Sequence, residues 1–143
     1  MPNHCCNTLF MSKDALPVIV KKYIHEDGHG DKIFDFEHIE PVGKIPDWYS
    51  QRIKRWGTRL AGYDLNIGDT FIDFLTTWSP PLPIISKLAE LLKDITFRLE
   101  YYEESMAFRG VYTAEWHDGE VLAKDDCWDM TEKDYEELEI TPS

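Results

Sequence analysis

The sequence predicts an α+β domain, an antiparallel sheet with helices packed on one face. Two observations carry that prediction. Stretches of period-two apolar alternation come largely in pairs joined by short turns, as the strands of an antiparallel sheet do. Stretches with helical spacing fall between some of these pairs, which gives the order β-α-β-α-β-β-α-β-β-β-α. At 143 residues and 43% apolar composition, the chain can bury one core and is too apolar for wholesale disorder.

The elements follow in order. Residues 6–11 read as a short strand. Asp14 can cap a helix whose first turn tolerates Pro17 and whose stripe is Leu16, Val20, Tyr23 and Ile24. Asp27-Gly28 and Gly30 stop it. Residues 32–40 alternate, with Phe34 and Phe36 on one side and Asp35 and Glu37 on the other, as in a half-buried strand. Pro46 suits the first turn of a second helix, whose stripe of Ile45, Tyr49, Ile53, Trp56 and Leu60 would be buried. Tyr63 to Ile67 and Asp69 to Trp78 form two strands joined near Gly68.

Ser79 can cap a third helix entered through Pro80 and Pro81, with Ile85, Leu88, Ala89 and Leu92 inward. Residues 95–102 alternate strictly, and residues 106–116 continue as a strand. Asp118-Gly119 turns that strand into Glu120 to Lys124. Thr131 and Asp134 have the spacing of a capping box before a last acidic helix. The expected division is a domain over residues 1–124 and an acidic extension over 125–143.

Charge is the least ordinary property. The net charge is -12, which argues against binding nucleic acid or an anionic membrane by simple attraction. Residues 100–143 hold 14 acids and 3 bases, so nearly all the imbalance lies there. The opposite bias is local. Arg52, Lys54, Arg55 and Arg59 make a candidate basic surface that can contact phosphates, although internal pairing with the C-terminal acids is the preferred reading. Apolar runs such as Pro80 to Ile85 are too short to span a bilayer. The first residues lack the basic and apolar regions of a signal peptide, and three cysteines make no disulfide framework, so a cytoplasmic location is expected.

Motifs for chemistry are weak. His25-Glu26-Asp27-Gly28-His29 matches H-E-x-x-H, but the zinc chemistry needs one continuous helix and Asp27-Gly28 breaks it. His4, Cys5, Cys6 and Cys127 lack the spacing of a structural zinc site, and a strand would turn one of the adjacent cysteines inward. No metal or cofactor is expected. The carboxylate pairs Glu103-Glu104, Asp125-Asp126 and Glu136-Glu137 read first as solvated surface, common in a chain with 27 acids. No nucleophile-elbow or phosphate-loop pattern occurs.

Acids interleaved with large aromatics suit protein binding better than acids alone. Aromatics supply anchoring area, and charge steers a basic partner. The candidate partner-binding residues are Glu103, Glu104, Trp116, Asp118, Glu120, Asp125, Asp126, Trp128, Asp129, Glu132, Asp134, Tyr135, Glu136 and Glu137. The plainer alternative is a solvated acidic edge.

Several strings recur in an ordered set: Pro2-Asn3 with Cys6-Asn7, Trp56-Gly57-Thr58, Tyr63-Asp64, Phe74 through Trp78-Ser79-Pro80-Pro81, Tyr101 to Glu104 and Phe108-Arg109-Gly110. Over roughly residues 2–123 the set resembles the YubB-like family, small proteins of phages, plasmids and other mobile elements. The resemblance implies a ferredoxin-like fold and assigns no catalytic residue. His4 departs from the family's pattern, where Trp stands, and the acidic stretch after Lys124 lies outside the resemblance.

The expected function is therefore non-enzymatic. An acidic protein of a mobile element would block the basic, nucleic-acid-binding surface of a host complex, as an anti-CRISPR or other counter-defence inhibitor. Two alternatives remain: a small enzyme with a pocket near Trp56, Trp78 and Tyr101, or a self-associating structural protein in which the basic helix of one copy meets the acidic third of another.

Overall fold

The structure, a computed structural model, describes residues 3–141; Pro2 and the last two residues of the expected extension lie outside them. The chain runs through β1 (His4–Phe10), α1 (Leu16–Tyr23), β2 (Ile24–Glu26), β3 (Lys32–Phe34), α2 (Phe36–Ile39) and α3 (Trp48–Trp56). It continues with β4 (Tyr63–Ile67), β5 (Phe71–Thr77), α4 (Leu82–Leu91), β6 (Phe97–Glu103), β7 (Phe108–His117), β8 (Glu120–Asp129) and α5 (Glu132–Leu138). Six strands form one sheet in the order β4-β5-β1-β6-β7-β8, and β2 and β3 make a separate hairpin. Every pairing in the large sheet is antiparallel. β1 is central, with Thr8 opposite Asp73 on one side and Glu100 on the other.

Period-two alternation turns one row of each strand toward the helices. Cys5 and Leu9, Ile72 and Phe74, Phe97 and Leu99, and Tyr112 and Ala114 are buried there. Leu16, Ile19 and Tyr23 of α1 and Ile84, Ile85, Leu88 and Ala89 of α4 close over them at helical spacing. Each large apolar side chain so buried contributes about 1.5–3 kcal/mol. Phe34, Phe36, Phe74 and Trp56 form an aromatic cluster with centroid separations of 5.2–6.3 Å.

Two sequence strings meet here. Gly57 ends α3 with φ 83°, in the left-handed region, and a Cβ there would lie 2.9 Å from the Pro80 carbonyl oxygen. Ser79 Oγ donates to the Gly57 carbonyl (2.5 Å). Thr58 Oγ1 donates to the Thr77 carbonyl (3.0 Å) and accepts from the Thr77 amide (3.1 Å). Trp56-Gly57-Thr58 and Trp78-Ser79-Pro80-Pro81 are thus two halves of one latch between α3, the end of β5 and the start of α4.

Several local expectations are corrected. Ala15 caps α1 in place of Asp14, and the Ser12 hydroxyl accepts the Ala15 amide. Ile24 belongs to β2 and not to the helix. The strand expected over 32–40 ends at Phe34, because the Asp35 amide donates to the Tyr23 carbonyl (2.7 Å) and the chain turns into α2. Phe34 and Phe36 are both buried, but one leaves a strand and the other starts a helix. Ser79 does not cap α4; Pro81 occupies that position while Ser79 serves the latch.

The largest correction concerns α3. Only Trp56 of its stripe is buried, whereas Ile45, Tyr49, Ile53 and Leu60 are exposed. Helical spacing gave the face but not what covers it, and nothing among the described residues does. At the other end, β8 runs to Asp129, past the Lys124 at which the strand was expected to stop, and is continuous across residue 124. It stays paired with β7 through all ten residues.

Candidate protein-binding surface

The acidic surface is built on the β7–β8 hairpin. Asp118 (φ 48°) and Gly119 (φ 87°) are both left-handed, the geometry of a tight hairpin turn. β8 follows as an edge strand that has β7 as its one sheet neighbour among the described residues. Glu120, Asp125, Asp126 and Asp129 are exposed along it, and Trp128 and Leu122 keep 38% and 42% of their surface. Charged residues on an edge also oppose strand-to-strand aggregation.

Register sorts these side chains between the two faces of the sheet. Gly110 lies opposite both Tyr101 and Cys127. A Cβ on Gly110 would fall 2.3 Å from the Tyr101 ring, so the glycine opens the path by which Tyr101 crosses β7. Its hydroxyl donates to Asp125 Oδ1 (2.6 Å) on β8. Burial, then the hydrogen bond to Asp125, pushes the Tyr101 phenol well above its ordinary range, which keeps it a donor. Asp125 thus ties the edge strand to β6.

Arg109 and Trp128 are opposite one another and point to the other face. There they receive α5. Thr131 Oγ1 accepts from the Asp134 amide and Asp134 Oδ2 accepts from the Thr131 amide (2.8 Å), a reciprocal capping box. Arg109 donates to Asp134 Oδ1 and to Glu137 Oε2, each at 2.8 Å, and the Trp128 indole donates to Asp134 Oδ2 (3.2 Å). The Thr131 backbone amide, with Arg109, the Thr131 hydroxyl and Trp128 adding to it, holds the Asp134 carboxyl at about 2.

The expected partner-binding residues therefore divide. Glu103 is buried (1% exposed), and its carboxylate accepts the amides of Ser105 (3.1 Å) and Met106 (2.6 Å) in the β6–β7 turn. Asp134 is buried against Arg109 and Trp128. Glu103 and Asp134 are buried and hold the fold together. Glu104, Asp118, Glu120, Asp126, Asp129, Glu132, Glu136 and Glu137 are exposed, and Trp116 and Tyr135 are half-buried. Trp116 carries the Lys93 ammonium 4.6 Å from its ring centroid.

The basic surface does not pair as expected. Among the described residues, no ion pair joins Arg52, Lys54, Arg55 or Arg59 to an acid of the C-terminal third. Arg52 instead lies between the rings of Trp48 and Trp56, 5.0 and 4.5 Å from their centroids, and donates to the Arg59 carbonyl (3.0 Å). Arg55 donates to the Pro41 carbonyl. Sequence reasoning missed Trp48 and the open apolar face beside it. The signal was present: Arg52 stands four residues from both Trp48 and Trp56, which places a cation on the face read as buried.

The remaining motifs dissolve into separate places. His25 lies in β2 with Nδ1 2.9 Å from Asp35, while His29 is in a turn closed by Asp27. No three His, Cys, Asp or Glu side chains come together to hold a metal among the described residues. Cys5 is buried, Cys6 half-buried and Cys127 exposed, all as free thiols, and burial raises the pKa of Cys5 and of Cys6. The expected pocket does not assemble. Trp56 is buried with its indole on the Glu40 carbonyl, Tyr101 is bound to Asp125, and Trp78 is exposed. Among the described residues no helix is long and apolar enough to cross a membrane.

An antiparallel sheet with α1 and α4 layered on one side, α5 docked near the edge of the other, and two open charged surfaces defines a ferredoxin-like α+β domain. The chain belongs to the family described as the ferredoxin-like domain in Api92-like protein, which matches residues 56–141. The match begins at Trp56 and includes β8 and α5, so the acidic residues after Lys124 lie inside the family's domain. No curated protein and no solved structure matches the chain.

Proposed function

We propose that the protein is a non-enzymatic binding protein whose β8–α5 surface engages a basic, nucleic-acid-binding surface of a host protein complex. Its setting in this reading is the bacterial cytoplasm and its origin a mobile element, in keeping with the YubB-like resemblance, where it acts as a counter-defence inhibitor of the anti-CRISPR kind. The single observation that carries the reading is the edge strand β8. It is exposed at every residue but Val121, carries Glu120 and Asp126 on the face of Leu122 and Trp128 and Asp129 on the other, and has Lys124, beside Asp126, as its one base. Such a surface offers charge for steering and apolar area for holding.

The test is a tagged pull-down from bacterial lysate containing defence complexes, washed at low and at high salt. The expected result is a nucleic-acid-processing complex retained at low salt, shed at high salt and displaced by added DNA. Reversing Asp126, Asp129, Glu132 and Glu136 to Lys abolishes capture while leaving the Asp134–Arg109 and Tyr101–Asp125 contacts in place. Undiminished capture by that variant would sink the reading.

A further inference from the structure

The open face of α3 lacks a partner among the described residues of its own chain. Ile45, Trp48, Tyr49 and Ile53 keep 41, 39, 50 and 44% of their surface. Exposed apolar area of this kind, gathered on one helix face, marks an interaction site. A cleft of about 420 Å³ lies beside it, lined by Gly43, Lys44, Ile45, Trp48 and Arg52. The Nε atoms of Arg52 and Arg59 are buried without a hydrogen-bond partner. Residues 44–59 carry five bases and one acid. A fitting occupant is acidic and brings apolar side chains.

This chain has such a surface of its own. β8 and α5 carry acids around Leu122 and Trp128. The two surfaces cannot meet inside one copy. α3 is latched to the end of β5, and β5 is separated from β8 by β1, β6 and β7. Four strand spacings amount to about 19 Å, roughly two Debye lengths at physiological salt. Between copies no such separation applies.

We propose that the α3 face docks on the β8–α5 face of a second copy, head to tail. Packing α3 against α3 would set cation against cation, so the charge pattern selects the unlike faces. The contact is heterologous. The pair keeps one free face of each kind, one on each copy, and association continues into a ring or a chain. The inference does not rest on a host partner. It implies that self-association and any such partner compete for β8.

The test is sedimentation velocity on the full chain over a range of concentrations, at low and high salt. Species larger than a monomer are expected at low salt, and monomer at high salt. Two variants separate the faces: Ile53→Asp with Lys54→Glu on α3, and Asp126→Lys with Asp129→Lys on β8. All four positions are exposed, and circular dichroism checks that each variant folds. Each variant alone should associate at least about tenfold more weakly, the effect of losing an anchor or a charge pair at an interface centre. Mixed one to one, they should form a heterodimer that grows no further, because only one α3 face and one β8 face remain intact. A wild-type protein that stays monomeric at low salt would overturn the proposal, as would variants that associate like the wild type or a mixture that stays monomeric.

Discussion

α3 and α5 are both short surface helices rich in charge, yet they are held in opposite ways. In α5 the charges do the folding: Asp134 joins the Thr131 cap, the Arg109 guanidinium and the Trp128 indole at one point. In α3 the single buried side chain of the helix, Trp56, does the folding, and the charges are left over. The lesson is that net charge alone does not locate a functional surface. Acids and bases already satisfied inside the fold must be removed first, and here that removes Asp134, Glu103 and Asp125 together with Arg52 and Arg55, while leaving Lys44, Lys54 and the outer acids of β8.

The comparison breaks first at Trp56. Trp56→Ala should cost about 3–5 kcal/mol in urea unfolding, since it removes the one side chain that anchors α3 to Phe36 and to the Glu40 carbonyl. A loss below about 1 kcal/mol would mean that α3 is held by its charges after all. On the acidic side, Gly110→Ala should cost about 1–3 kcal/mol by overpacking, because the new methyl would strike Tyr101. Tyr101→Phe in the same assay separates the loss of the Asp125 hydrogen bond from the loss of space.

Smaller effects sharpen the contrast. Thr131→Ala should lower stability by about 1 kcal/mol, the ordinary value of a helix cap. Acid should act on the same point. The Asp134 carboxyl is held at about 2, below its ordinary 3.8. Its contribution is therefore complete above about pH 4 and is lost as pH falls through about 2. Trp128 fluorescence, reporting on an indole bonded to Asp134, should follow that loss. Ile53→Ser on α3 should change stability by no more than about 0.5 kcal/mol, as at an exposed site with no contact to lose.

Much of the sheet was legible in the sequence because alternation in β6 and the turn at Asp118-Gly119 are local signals. The capping box was legible for the same reason. Alternation misled at Phe34 and Phe36, where burial of residues two apart arose from a strand ending and a helix beginning. Local preference ends β8 at Lys124 because Asp125, Asp126 and Asp129 are poor strand formers; backbone pairing to β7 overrides that preference at an edge. The open face of α3 was legible only indirectly, through the cation Arg52 placed on the apolar stripe. Spacing shows that side chains share a face, and only tertiary structure shows whether anything lies on it.

The central position of β1 bears on how the chain assembles. β1 precedes both of its neighbours in the chain by many residues, and Thr8 finds them at Asp73 and Glu100. Until both distant strands exist, β1 has no place to go, whereas β7 and β8 close through a two-residue turn. Late closure of long loops slows folding. The acidic hairpin should therefore form early and the centre of the sheet late, so that the N-terminal strand completes the fold rather than starting it.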